Sequence, residues 1–141
     1  MAGKPLLRTW LVFFGAPKGQ YWWARFLRPG FRHVSAAAWF DLEQRWVYYN
    51  PARPGTTILI FTADEWGRVF GPLLEESTAC VRIRGAYDRT STPATWYCVG
   101  AMKALLGLRS SALSPHALYL DLLRRGGEAV ECGPCVERVA V

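Results

Sequence analysis

The sequence predicts an α+β fold, a small and mainly antiparallel sheet with two or three helices packed on it. Short β-branched and aromatic runs, bounded by Gly, Pro and polar turns, recur between residues 8 and 84. The clearest amphipathic helical patterns come late, from Cys98 to Leu108 and from Ser114 to Arg125. Two of the early runs are separated only by the polar turn Asp41-Leu42-Glu43-Gln44, which predicts an antiparallel hairpin. A chain of 141 residues, 51% hydrophobic and 20% charged, is expected to form a single domain over residues 1–141 with its own core.

In order, Arg8 to Phe14 reads as a buried strand. A long connection follows, with Pro17, Gly19 and Pro29-Gly30. Phe31–Phe40 and Arg45–Asn50 form the hairpin, and Pro51 ends it. Thr56–Thr62 is a fourth strand. Trp66, Val69, Phe70 and Leu73 fall on one face of a short helix that Gly71-Pro72 should stop or kink. Thr78–Arg84 alternates and reads as a fifth strand, with Cys80 as inert core between Ala79 and Val81. After a polar loop, Thr95 is placed as N-cap for the Cys98 helix, whose stripe is Cys98, Ala101, Met102, Leu105 and Leu106. Ser114-Pro115 starts the last helix and Arg124-Arg125-Gly126 closes it. Residues 127–141 read as a tail.

The net charge is +6, and its excess is all N-terminal. Lys4, Arg8, Lys18, Arg25, Arg28 and Arg32 precede the first acid, Asp41; the remaining eleven basic residues match the eleven acidic ones. Residues 1–30 are thus a basic aromatic segment. Trp22, Trp23, Arg25, Arg28 and Arg32, with Trp96, are the candidate binding residues. Cations with interleaved rings suit nucleic acid, or a membrane surface, contacted through residues 18–32. The same rings also suit core or a protein–protein interface. No apolar run approaches a bilayer-spanning length, and four cysteines are few for a stapled secreted domain. The expected setting is a reducing cytoplasm.

Thiol chemistry is the sharpest chemical reading. Cys98 falls in the first turn of its helix, where free N–H groups and the positive dipole end favour a thiolate. A base is needed within hydrogen-bond reach, oriented by a third polar group. His116 follows Pro115 in the last helix, where a solvent-facing or capping role is expected. His33 opens the second strand, where its ring can face a sheet surface next to the Cys98 helix. Parity supplies the third member. If Phe40 pairs with Arg45, Ser35 pairs with Asn50, and Asn50 lies diagonally beside His33 on one face. Tyr48 shares that face and is a reserve. Asp41, in the turn, is too far along the strand.

This order of parts resembles the circularly permuted papain-like hydrolases, the NlpC-type amidases in permuted form, related to the lecithin:retinol acyltransferase group. The matching stretches are Phe31-Arg32-His33-Val34, Trp46-Val47-Tyr48-Tyr49-Asn50-Pro51 and the run from Tyr97-Cys98 through Gly107. The run from Cys98 through Ser114-Pro115-His116-Ala117-Leu118-Tyr119 also looks like small bacteriophage-encoded proteins. The resemblance spans residues 31–125. It implies Cys98 as nucleophile, His33 as base, Asn50 as orienter and a peptide or amide substrate attacked through an acyl-enzyme, with no cofactor and no metal. The bulky Trp96 and Tyr97 beside Cys98 depart from an open groove. The phage likeness implies the alternative of a non-catalytic virion or assembly component with virion protein partners.

Other motifs carry less. Cys132-Gly133-Pro134-Cys135 has thioredoxin spacing, but only six residues follow it and Glu131 precedes it. A local disulfide or half of a zinc site remains open for it. No glycine-rich phosphate loop and no metal-protease helix is present. Asp64-Glu65 and Glu75-Glu76 read as surface or helix-start acids.

Overall fold

The structure, a computed structural model, describes residues 7–15, 26–52, 55–87 and 97–131. Six strands make one antiparallel sheet in the order β4-β3-β2-β1-β5-β6. They are β1 (Arg8–Gly15), β2 (His33–Phe40), β3 (Arg45–Pro51), β4 (Thr56–Phe61), β5 (Ser77–Gly85) and β6 (Glu128–Val130). The helices are α1 (Trp66–Glu76), α2 (Tyr97–Leu106) and α3 (Pro115–Arg124). The α+β expectation holds, and the helices divide between the two faces of the sheet.

Alternation along the central strands explains the division. Trp10, Val12 and Phe14 of β1, Val34, Ala36 and Ala38 of β2, and Val81 and Ile83 of β5 form a core with Val99, Met102 and Leu106 of α2 and Leu118 and Leu122 of α3. Their neighbours Leu11, Phe13, Ala37 and Cys80 join Trp46, Tyr48 and Phe61 against Phe70 and Leu74 of α1. β1 is buried from Trp10 to Phe14 because helices cover both of its faces, and so it reads as an unbroken apolar run. The small Ala36 and Ala38 face the α2 side, where they let a helix come close.

The α2 helix closes as its sequence suggests. Gly107 has φ +65°, the N–H of Leu108 donates to the Lys103 carbonyl at 2.9 Å and that of Gly107 to Ala104 at 3.2 Å. This left-handed closure favours glycine. Ser114 caps α3 by accepting from the Ala117 N–H at 3.3 Å, with Pro115 in the first turn.

Three expectations need correction. Of the stop or kink expected at Gly71-Pro72, the stop does not occur: helix α1 continues to Glu76. Phe70 and Leu74, buried on either side of the proline, hold both halves on the sheet. Pro72 and Arg68, whose carbonyl it deprives of a helical donor, are exposed. Phe31 and Arg32 precede β2 rather than belong to it, although the Phe31 ring is buried in the core. The segment after Gly127 is not only a tail: Glu128–Val130 pairs with Cys80–Arg82, and Glu128 forms an ion pair with Arg82.

Candidate active site

The β2–β3 hairpin has the register on which the parity argument depends. Phe40 pairs with Arg45 and Ala36 with Tyr49. Continuing the ladder sets Ser35 beside Asn50 and His33 diagonally next to it. His33 Nε2 lies 2.5 Å from Asn50 Oδ1. Both ends of the bond are held. The N–H of Arg32 donates to Gly15 at 3.0 Å, anchoring the start of β2, and the buried Pro51 follows Asn50 at the end of β3. An amide oxygen only accepts, so Nε2 carries the proton and Nδ1 keeps its lone pair. Burial pushes the His33 pKa below its ordinary value, with the Asn50 bond opposing. The ring is therefore held neutral near pH 7, in the tautomer of a base.

Cys98 is the second residue of α2, half-buried against the core on the α2–α3 side. Burial pushes its thiol pKa up; the backbone N–H groups of Val34, Val99 and Cys98 itself, directed at the sulfur, work against that shift. The Val34 N–H belongs to the peptide that joins His33 to Val34. Backbone N–H groups of a strand lie near the plane of its sheet. The sulfur thus lies near the start of β2, close to the peptide that joins His33 to Val34.

The two groups nevertheless face different ways. Val34 packs toward α2 and α3, so His33, the next residue along, faces α1. Its ring lines a cavity of about 120 Å³ with Asn50, Ser35, Tyr48, Leu73 and Glu76. Cys98 does not line that cavity, and no hydrogen bond joins it to His33. The expectation that the ring faces the Cys98 helix is corrected by strand alternation. His33 and Asn50 come together; Cys98 joins them only through the Val34 peptide.

Tyr48 shares the His33 face as expected, but its hydroxyl bonds Ser35. Its pKa is raised by burial, against the Ser35 bond, with Glu76 adding to the rise. Sequence reasoning places Ser35 on this face without a role in the site, and reads Glu76 as a surface or helix-start acid rather than part of this cavity. A serine inside the apolar run Val34–Ala38 was the one signal available. His116 is half-buried, and one side of its ring meets Phe31 edge-on at 4.9 Å. Its pKa is lowered by burial and by Arg28.

Among the candidate binding residues, Trp22, Trp23, Arg25 and Trp96 lie outside the described residues, as do Thr95 and the Cys132–Cys135 pair. Arg28 is exposed and Arg32 half-buried. Phe26 is 72% exposed, whereas Phe31 belongs to the core, so the described rings of this segment divide between surface and interior. Among the described residues, no three His, Cys, Asp or Glu side chains gather where they could hold a metal, and no helix is long and apolar enough to cross a membrane. Comparison of the chain with protein-family models, with curated proteins and with solved structures returns no match, so any functional reading rests on residues and geometry alone.

Proposed function

We propose that the chain is a cysteine-dependent hydrolase of amides or esters, with Cys98 as nucleophile, His33 as base and Asn50 as its orienter. The observation that carries the reading is the His33–Asn50 bond, which fixes the tautomer that leaves Nδ1 free to accept a proton. The influence of the Val34 N–H on the Cys98 thiol supports it, because it places the thiol near the residue next to the base.

In this reading the Sγ proton passes to His33 Nδ1 and the thiolate attacks the acyl carbon. The imidazolium returns the proton to the leaving amine or alkoxide as the carbon–heteroatom bond breaks. Water, deprotonated by the same imidazole, then attacks the thioester and frees the acid and the thiol. The N–H groups of Val99 and Cys98 stabilise negative charge at the head of α2. Ring and sulfur leave the start of β2 on opposite sides, so this step requires that segment to turn on substrate binding, a larger change than the tightening of a long hydrogen bond.

A second reading has its own support. The raised thiol pKa and the opposite facing of thiol and ring favour a non-catalytic component of an assembly, such as a virion, built on the same fold.

Alkylation by a mild electrophile at neutral pH, mapped by peptide mass, separates the two. The hydrolase reading expects labelling of Cys98 to slow in His33→Ala, while that of the buried Cys80 stays unchanged. Equal labelling of Cys98 with and without the histidine would leave the assembly reading.

A further inference from the structure

The two edges of the sheet are treated differently. Edge strands present a row of unpaired N–H and C=O groups, usually blunted by shortness, charge, proline or a bulge. β6 is three residues long and carries Glu128 paired with Arg82. β4 has six residues, contains no charge and no proline, and among the described strands pairs in unbroken register with β3 only. Its first five residues are all exposed, with Ile58, Leu59 and Ile60 keeping 58%, 42% and 67% of their area in solvent. On the α2–α3 side, Ile58 and Ile60 stand beside Tyr49 and Val47, while α2 and α3 pack chiefly on β2, β3 and β5.

We infer that β4 is where two copies of this chain join, edge to edge and antiparallel about a twofold axis, making one continuous sheet. Composition and charge identify the occupant. A strand that covers Thr57, Ile58, Leu59 and Ile60 must itself be uncharged and apolar on both sides, because a charge buried there is costly. β4 is such a strand. The described charges near it, Arg45, Asp64, Glu65 and Arg68, gather at its Phe61 end, where Arg68 and Arg45 act on Glu65. Antiparallel pairing sets that end against the partner's Thr56 end and keeps the two charged turns apart; parallel pairing would set each charge beside its own copy.

Symmetry then selects the register. A twofold axis normal to the sheet leaves every side chain on its own face, so opposed residues share parity. Centred on Leu59, the pairing sets Leu59 against its own copy and Ile58 against the partner's Ile60. Centred on Ile58, it would set Thr56 and Thr57 against Ile60 and Leu59. The first register pairs the exposed apolar residues with one another on both faces and leaves only Thr57 against the partner's Phe61. This association does not depend on the thiol chemistry.

Sedimentation equilibrium of the full chain tests it. The expected mass is twice that of one chain, halved by Ile58→Lys or Ile60→Lys, exposed positions whose substitution keeps the fold by far-UV circular dichroism. Leu59→Cys should give, under mild oxidation, an intermolecular disulfide between the two residues at 59, identified by peptide mapping. A monomer at all accessible concentrations, or a dimer unaffected by either lysine, overturns the inference. So does a monomer that takes up an unrelated uncharged strand peptide, which would make β4 a dock for another protein.

Discussion

His33 Nε2 lies 2.5 Å from Asn50 Oδ1 across 17 positions of sequence, brought there by the pairing of Phe40 with Arg45 at the other end of the hairpin. The bond makes Asn50 a positioning residue with a separable effect. Removing His33 removes the base itself and should lower turnover ~10²–10⁴-fold, the usual contribution of a general base. Asn50→Ala leaves the ring but frees its tautomer, so the loss should be smaller and Asn50→Gln should restore part of it. A double-mutant cycle checks the coupling: with His33 already replaced, Asn50→Ala should cost almost nothing.

The pH profile of Cys98 alkylation gives an independent reading. Burial raises the thiol above its ordinary value of 9.0, so an unassisted sulfur should react slowly at neutral pH and accelerate only in the alkaline range. Assistance by His33 adds a limb that follows the neutral imidazole. Its inflection should lie below 6.5, because burial lowers the His33 pKa. His33→Ala should erase that limb and leave the alkaline one unchanged. A single alkaline inflection in the unsubstituted chain would count against the hydrolase.

The hairpin register was open to inference because a four-residue polar turn and strict alternation leave few pairings that bury both Trp46 and Tyr48. The same alternation says that His33, Ser35, Tyr48 and Asn50 share a face. It does not say which helix covers that face, since β1 and β2 are apolar on both sides, and the partition between α1 and the α2–α3 pair is a tertiary outcome. Pro72 misled for a related reason: the burial of Phe70 and Leu74 outweighs a local helix breaker. β6 left almost no trace, because the Glu128-Ala129-Val130 run is too short to show a period.

Phe70 is the centre of the α1-side core. It has no exposed area and meets Trp66 at 4.0 Å, Phe61 at 5.0 Å, Phe13 at 5.5 Å and Trp46 at 5.7 Å between ring centroids. Phe70→Ala should cost about 3–5 kcal/mol, the range for emptying a well-packed aromatic site. Urea unfolding followed by tryptophan fluorescence measures it, with Trp46 and Trp66 as adjacent reporters. Leu42→Ala, at a fully solvated turn, is the matched control and should change stability by less than about 0.5 kcal/mol.

Stability should also depend on pH through the two histidines. Both have folded pKa values below the ordinary 6.5, each chiefly by burial. Between the folded and unfolded values the unfolded chain binds more protons, so stability rises with pH through that window. The contribution is complete above about 6.5, the value of an unperturbed imidazole, and is lost as pH falls through 6.5 toward the lower folded values. Thermal unfolding across mildly acidic pH should show the decline. His33→Gln, which keeps a group able to reach Asn50 but does not titrate, should remove the His33 part of the slope and leave that of His116. An unchanged slope would mean that the His33 ring is as free to protonate in the fold as in the unfolded chain, and would remove the basis for treating it as a held neutral base.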